Sequence, residues 1–432
     1  MIKQIAFLIF LVVDFAFCIE IKTQSKACIL MDAKSGKVLF EKNAHLLLPP
    51  ASTTKIATIT YALTQIQDEE LYKVLEAPPE ILQMATKFQK IKSGYTLKPY
   101  VLEPDGTSLD IKKFEKLPII ALLYGTMMAS ANDAANLLAY HLGGQKIEKF
   151  VNQLNEYLKT IGCKNTHFEN PHGLHIPNHL TTAFDLALIA KEGMKNPLFR
   201  KLVTTMSYQR PKTNKSEERT FYQNNRLLNE GDFFYPQATG IKTGYTQDAK
   251  YCLVASAENA NRSLIVVVLG SPTPQERYAD AIELFNQAFE EEFYHHKIYS
   301  HEDAKFKFFH PKAKKVFHLK LNEDPIVVYY LSLKPEIKVD VDLFKKDPPY
   351  IKGEKLGVLN VVLDDEKIES FDLFSSENIG LKFHLKLLEG IKTHFIWVIL
   401  GVFFINCLAY LVIKHRKYLI SLFYRQIFRT QL

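Results

Sequence analysis

Three short groups of residues, in chain order, have the types and spacing for nucleophilic chemistry: Ser52-Thr53-Thr54-Lys55, Ser130-Ala131-Asn132 and Lys242-Thr243-Gly244. At the start of a helix, a serine and a lysine three apart lie on one face, within reach of each other. A serine hydroxyl is a poor nucleophile near neutral pH and needs an adjacent base. Lysine is that base only where burial or a neighbouring cation disfavours its protonated form. Lys242 can supply such a cation, and the Ser130 hydroxyl can relay the proton to a leaving amine. A backbone N–H at the helix start, with a second from the strand carrying Lys242, can hold a developing oxyanion. The chemistry implied is acyl transfer through Ser52.

Each motif alone is cheap. Roughly one or two S-x-x-K matches arise by chance in a chain this long, and K-T-G in about one such chain in ten. Ser52 by itself reads equally well as a helix N-cap. Context carries the argument. Ser52 opens a helix just after Pro49-Pro50 and running through Leu63, Ser130 and Asn132 sit on a small-residue turn between apolar helical stretches, and Lys242 precedes a hairpin.

The elements that must position these residues are legible in outline. Ala27–Asp32 reads as a buried strand and Val38–Lys42 as its return. Helical periodicity covers Leu117 to Leu142, Gln145 to Ile161 and Ala183 to Gly193. Tyr251 to Ala257 and Arg262 to Leu269 read as a hairpin, followed by a helix from Gln275 to about Phe293. Strands at both ends with helices between predict one sheet flanked by helices. Short alternating segments then run from Val316 to Phe374, a small all-β module before the chain turns apolar.

The two ends set the address. Residues 1–18 carry Lys3, an apolar run and Ala16-Phe17-Cys18, the pattern of a signal peptide cut after Cys18, with Asp14 unusual for one. Residues 394–413 form an apolar run of the length that crosses a bilayer. Lys414-His415-Arg416-Lys417 follows at once, so 414–432 is expected in the cytoplasm, with a short amphipathic helix in the inner interface. The expected organisation is therefore a signal peptide at 1–18, a catalytic domain at 19–294, an all-β domain at 295–382, a transmembrane helix at 394–413 and a basic tail at 414–432. The net charge of +7 owes much to that tail, so nucleic acid is not an expected partner. Cys18 and Cys407 fall in the two terminal apolar segments, which leaves Cys28, Cys163 and Cys252, an odd number widely spread, so no disulfide framework is expected. Cys28 and Cys252 sit in apolar, strand-like runs that predict buried free thiols. Metal-binding and nucleotide-binding patterns are missing, so neither a metal nor a cofactor is expected.

With these residues in place, the chain resembles the low-molecular-mass penicillin-binding proteins that act as D-alanyl-D-alanine carboxypeptidases, related in fold to class A β-lactamases. The likeness extends to Ile29 through Leu39, Asn170-Pro171-His172-Gly173-Leu174, Gly240 through Thr246, and Leu269-Gly270 through Arg277, over about residues 25 to 380. It implies an α/β (α+β) fold with a mostly antiparallel sheet. It implies that Ser52 is acylated, that Lys55 is the base, and that Ser130 and Asn132 serve proton relay and the substrate amide. Lys242, Thr243 and Gly244 would pair with the peptide, Tyr245 would share the oxyanion hole with Ser52, and Arg277 would hold the terminal carboxylate. The implied partners are a peptidoglycan stem peptide, β-lactam inhibitors and the membrane. Water as the acyl acceptor gives a carboxypeptidase, an amine gives a transpeptidase, and a β-lactam substrate gives a β-lactamase. An inert wall-binding scaffold is the alternative outside enzymes. Two departures stand out: a spanning helix replaces the family's frequent amphipathic anchor, and Ala131 occupies the position where class A β-lactamases carry Asp. Glu169 lacks the surroundings of their deacylating glutamate, and His172 reads as a turn residue, outside the catalytic set.

Overall fold

Side chains along a strand alternate between two faces. In Ala27–Asp32 both sets are apolar: Ala27, Ile29 and Met31 on one face, Cys28 and Leu30 on the other. Such a strand needs cover on both sides. In the computed structural model, which describes residues 21–302, 305–344 and 346–427, every residue of this strand is buried. The expected signal peptide at 1–18 and the tail residues 428–432 lie outside the described residues.

The strand belongs to a five-stranded sheet in the order Val38–Lys42, Ala27–Asp32, Ser263–Ser271, Lys250–Glu258, Ala238–Thr246. All four pairings are antiparallel. One face packs on the helix Glu276–Phe289 through Tyr278, Ala281, Leu284 and Phe285. The other packs on a larger helical layer that includes Thr54–Ala62 and Ala183–Lys195. Ala238–Thr246 ends the sheet, so among the described residues one of its edges has no strand beside it. That edge carries Lys242, Thr243 and Gly244.

The S-x-N turn falls where the apolar periodicity breaks, between the helices Ile119–Met127 and Asn132–Leu142. The helix Pro197–Thr204 was not among the expected elements. Asn196 caps it, its Oδ1 accepting from the Leu198 and Phe199 amides at 2.8 and 3.2 Å. Asn followed by Pro at the first helical position is a start signal that the sequence does carry. A hairpin of Ser207–Arg210 and Arg219–Tyr222 was likewise unanticipated.

The described chain divides into two compact units, one running to Glu292 with Tyr330–Leu333, the other holding Phe293–Tyr329 and the residues from Lys334 onward. The second unit contains a five-stranded sheet in the order Lys305–Phe308, Phe317–Lys320, Glu366–Ser375, Lys355–Leu363, Ile337–Leu343. Its core gathers Phe317, Leu319, Leu359, Val361 and Leu373. The chain then enters a single helix, Phe383–Ile427. The helix continues past the apolar run: from Val402 to Ile427 neither glycine nor proline interrupts it. Its Phe383–Ser421 portion is long and apolar enough to cross a membrane, and the other described residues cover none of that apolar window. Cys28 and Cys252 are free and buried, as expected, and so is Cys163.

Candidate active site

Pro49-Pro50 holds the chain out of regular structure, and Ala51 turns it with a left-handed φ of 50°. A 3₁₀ turn, Ala51–Thr53, then leads into the helix Thr54–Ala62. The Thr53 and Thr54 hydroxyls donate back to the Pro50 and Ala51 carbonyls at 2.7 and 2.9 Å, fixing the turn that presents Ser52. One turn on, Lys55 is fully buried, and its Nζ lies 2.9 Å from Ser52 Oγ. The same nitrogen donates to Asn132 Oδ1 and to the His172 carbonyl, both at 2.7 Å. Burial first, and then the Lys242 cation, hold the Lys55 amine well below the usual lysine range, against the pull of Asp133.

The His172 carbonyl is held there by a turn that the Asn-Pro-His-Gly string anticipates. Asn170 Oδ1 accepts from the Gly173 and His172 amides at 2.7 and 3.3 Å, and its Nδ2 donates to the Leu174 carbonyl at 2.9 Å. The Thr58 hydroxyl ties the turn to the Ser52 helix by donating to the Pro171 carbonyl at 2.7 Å. Gly173 has φ 91°, and a Cβ there would stand 1.9 Å from the Ala51 carbonyl oxygen. Only glycine lets the turn approach so closely. The His172 ring is buried, and burial followed by the Lys55 and Lys90 cations pushes its pKa well down. A neutral ring locked in the turn is a structural part. Its backbone oxygen is what touches the Lys55 amine.

Ser130 adopts a left-handed φ of 58°, a conformation that a non-glycine residue holds only when its surroundings insist. Thr107 provides that insistence from both sides. Its hydroxyl donates to the Ser130 carbonyl at 2.5 Å, and its own carbonyl accepts from the Asn132 amide at 2.9 Å. The Asp133 carboxylate anchors the same loop by accepting from the Leu109 and Ile111 amides and the Ser108 hydroxyl at 2.6 to 3.1 Å. Thr107 escaped the sequence reading because it lies in a stretch of mixed character, far from the motif it braces. Thr107→Val keeps the shape and removes the donor. Losing one such bond is worth about 1 kcal/mol. Penicillin acylation of Thr107→Val should be about five- to tenfold slower, with the melting temperature little changed; an unaltered rate would show that Thr107 is only packing.

Lys242, Thr243 and Gly244 bring the open sheet edge against the Ser52 turn. A Cβ on Gly244 would lie 3.1 Å from both the Pro50 carbonyl oxygen and the Ser52 amide nitrogen. The backbone of the edge strand thus passes directly over the Ser52 N–H. Lys242 is buried, its Nζ donating to the Thr243 carbonyl at 2.8 Å. Burial, then the Arg277 charge, pushes its pKa down to about 7. Arg277 enters from the helix Glu276–Phe289. It reaches the Gly244 and Cys252 carbonyls at 3.4 Å and the Tyr278 hydroxyl at 3.2 Å, and its buried Nε is without a partner among the described residues. Tyr245 packs on Tyr251, ring centroids 4.5 Å apart.

Ser52, Ser130, Asn132, Thr243, Gly244, Tyr245 and Arg277 all line one cleft of about 710 Å³, while Lys55 and Lys242 are buried against it. That volume suits a small ligand or a few residues of extended peptide.

A serine at a helix start, a desolvated lysine beside it and an open sheet edge opposite define a serine peptidase of the penicillin-binding class. The chain belongs to the D-alanyl-D-alanine carboxypeptidase family, which matches residues 18–273. It is 31% identical to the D-alanyl-D-alanine carboxypeptidase DacF of Bacillus subtilis over 83% of this chain and 87% of that protein. Its structure resembles penicillin binding protein 5 from Haemophilus influenzae, with a TM-score of 0.55 and 25% identity over 84% of this chain and 99% of that one. It also resembles the Streptomyces K15 DD-transpeptidase, with a TM-score of 0.53 and 27% identity, covering 62% of this chain and 98% of that one.

Proposed function

We propose that this carboxypeptidase removes the terminal D-alanine of a peptidoglycan stem peptide through an acyl-enzyme on Ser52. The Lys55–Ser52 distance of 2.9 Å, made by a fully buried amine, carries the reading. A neutral amine has two N–H donors and one lone pair. With its donors on Asn132 Oδ1 and the His172 carbonyl, Lys55 turns the lone pair toward the Ser52 hydroxyl. Lys55 takes the serine proton as Oγ bonds to the carbonyl carbon of the penultimate D-alanine. The oxyanion is received by the Ser52 and Tyr245 amides. Collapse breaks the peptide bond, and the departing amine takes a proton passed through the Ser130 hydroxyl. Lys242 and Arg277 attract the terminal carboxylate, and the edge strand pairs with the peptide backbone. Water then attacks the ester, Lys55 again accepting a proton, and Ser52 is freed. β-Lactams acylate the same serine.

On this reading residues 19–294 catalyse, 295–382 form a stalk or partner-binding module, and 394–413 span the membrane. Lys414 to Lys417 would hold the tail on the cytoplasmic side, leaving the cleft on the outside. A second reading keeps the acyl-enzyme and gives it to an amine. The Streptomyces K15 relative favours considering it, because that protein is described both as a carboxypeptidase and as a DD-transpeptidase. Product analysis with a pentapeptide plus an amine acceptor separates hydrolysis from transfer.

The acylation test comes first. The full chain is treated with a labelled penicillin, digested, and the adduct located by mass spectrometry. One label on Ser52, lost in Ser52→Ala, is the expected result. Label elsewhere, or label retained in Ser52→Ala, overturns the assignment.

A further inference from the structure

The apolar helix carries one group that a lipid-facing surface does not need. Asn406 lies within the expected span of 394–413, among Phe403, Phe404, Ile405 and Leu408. Its Nδ2 donates to the Val402 carbonyl at 2.8 Å, so one amide hydrogen is satisfied within the helix. An amide has two N–H donors and a carbonyl with two lone pairs. Among the described residues no partner meets the second hydrogen or the carbonyl oxygen, at a depth where no water can meet them either. Polar side chains inside a span ordinarily face another protein surface.

The neighbours of Asn406 on its own face define that surface. Phe395, Ile399, Val402, Asn406, Ala409 and Ile413 follow one another at intervals of three and four, the spacing of a helix–helix seam. Ile399, Asn406 and Ile413 are seven apart, so a single polar residue stands in a series of β-branched ones. That arrangement fixes register in paired helices. Ala409, one turn from Asn406, is small enough for close approach. Because an amide both donates and accepts, its simplest complement is another amide at equal depth and in the same orientation. Two copies of one single-pass helix meet both conditions by construction.

We propose that the chain self-associates in the membrane as a parallel pair, through the face bearing Val402, Asn406 and Ala409, with the two Asn406 side chains bonded to each other. The proposal rests on the helix spanning the bilayer as read above. Interhelical bonds of this kind change association by about 3- to 20-fold.

The test uses the full chain in phosphatidylcholine vesicles, with energy transfer between labelled copies. Asn406→Leu should weaken association about 3- to 20-fold and leave penicillin acylation unchanged. Cysteine placement supplies the geometry. In a Cys407→Ser background, Val402→Cys and Ala409→Cys should form disulfide-linked homodimers under mild oxidation. Native Cys407, about 100° round the helix from Asn406, should not. Unchanged association of Asn406→Leu, or equal cross-linking at 407, overturns the seam. Cross-linking of the seam cysteines only to a different membrane protein in native membranes overturns the self-pairing. Protease treatment of the same vesicles tests the underlying reading separately. A protected helix without pairing defeats only the dimer, whereas an unprotected helix defeats both.

Discussion

Lys55→Met is expected to slow acylation of Ser52 by about 10⁴-fold, the upper range for losing a positioned general base. That is about 5.4 kcal/mol of barrier. Lys55→Arg should recover almost nothing, and this second variant separates a base from a mere hydrogen-bond donor. A guanidinium keeps donors for Asn132 Oδ1 and the His172 carbonyl, but it stays protonated in proteins and has no lone pair to offer. Labelled-penicillin acylation rates, with circular dichroism to confirm folding, make the comparison. If Lys55→Arg acylates within tenfold of the parent, Lys55 only orients Ser52, and the base lies elsewhere.

The pH dependence follows from the two buried lysines pulling in opposite directions. On the proposed mechanism Lys55 works as the neutral amine, so kcat/KM should rise as pH climbs through its depressed pKa. On the same mechanism Lys242 works as the cation that attracts the substrate carboxylate, so kcat/KM should fall as pH passes its value of about 7. The product is a bell. Once a carboxylate is bound beside Lys242 its proton is held more tightly, so kcat should lack the descending limb near neutrality. Lys242→Met removes that limb from kcat/KM altogether. It also takes a cation away from Lys55, whose pKa rises, so the ascending limb should move to higher pH. The loss at the optimum should be about 10² to 10³-fold, the scale of removing one charge-stabilising group. Steady-state rates across pH on parent and variant decide it. A descending limb that survives in Lys242→Met, or an ascending limb that does not move, would contradict the coupling of the two amines.

The parts of the molecule that could be read from the chain are those written in side chains. An unbroken apolar run marked Ala27–Asp32 as a buried strand, and Ile337–Leu343 falls among the short alternating segments expected from Val316 to Phe374. Serine and lysine at helix spacing do meet, and the S-x-N turn does fall between helices. What stayed hidden was written in the backbone. The acceptor that steadies Lys55 is a carbonyl, and every residue has one, so nothing in His172 marks it. Thr107 braces Ser130 from 23 positions away, across a loop whose composition suggests no regular element. The Pro197–Thr204 helix is a different kind of omission, since Asn196-Pro197 announces it and local punctuation alone would have found it.

The unpaired edge of Ala238–Thr246 has a consequence beyond catalysis. A sheet edge of nine residues is normally a hazard, because any extended segment from another molecule can add to it and start an aggregate. Natural sheets blunt such edges with proline, charge or a covering element. On the proposed mechanism the edge has to stay open for the substrate, so protection has to come from its setting. Gly244 is pressed against the Ser52 turn, and Ser130, Asn132 and Thr107 line the cleft with it. An extended segment that reaches the strand at Gly244 has to come in through that cleft. The walls that hold the reacting groups therefore also act as gatekeepers against misassembly. Variants that widen the cleft put solubility at stake along with turnover.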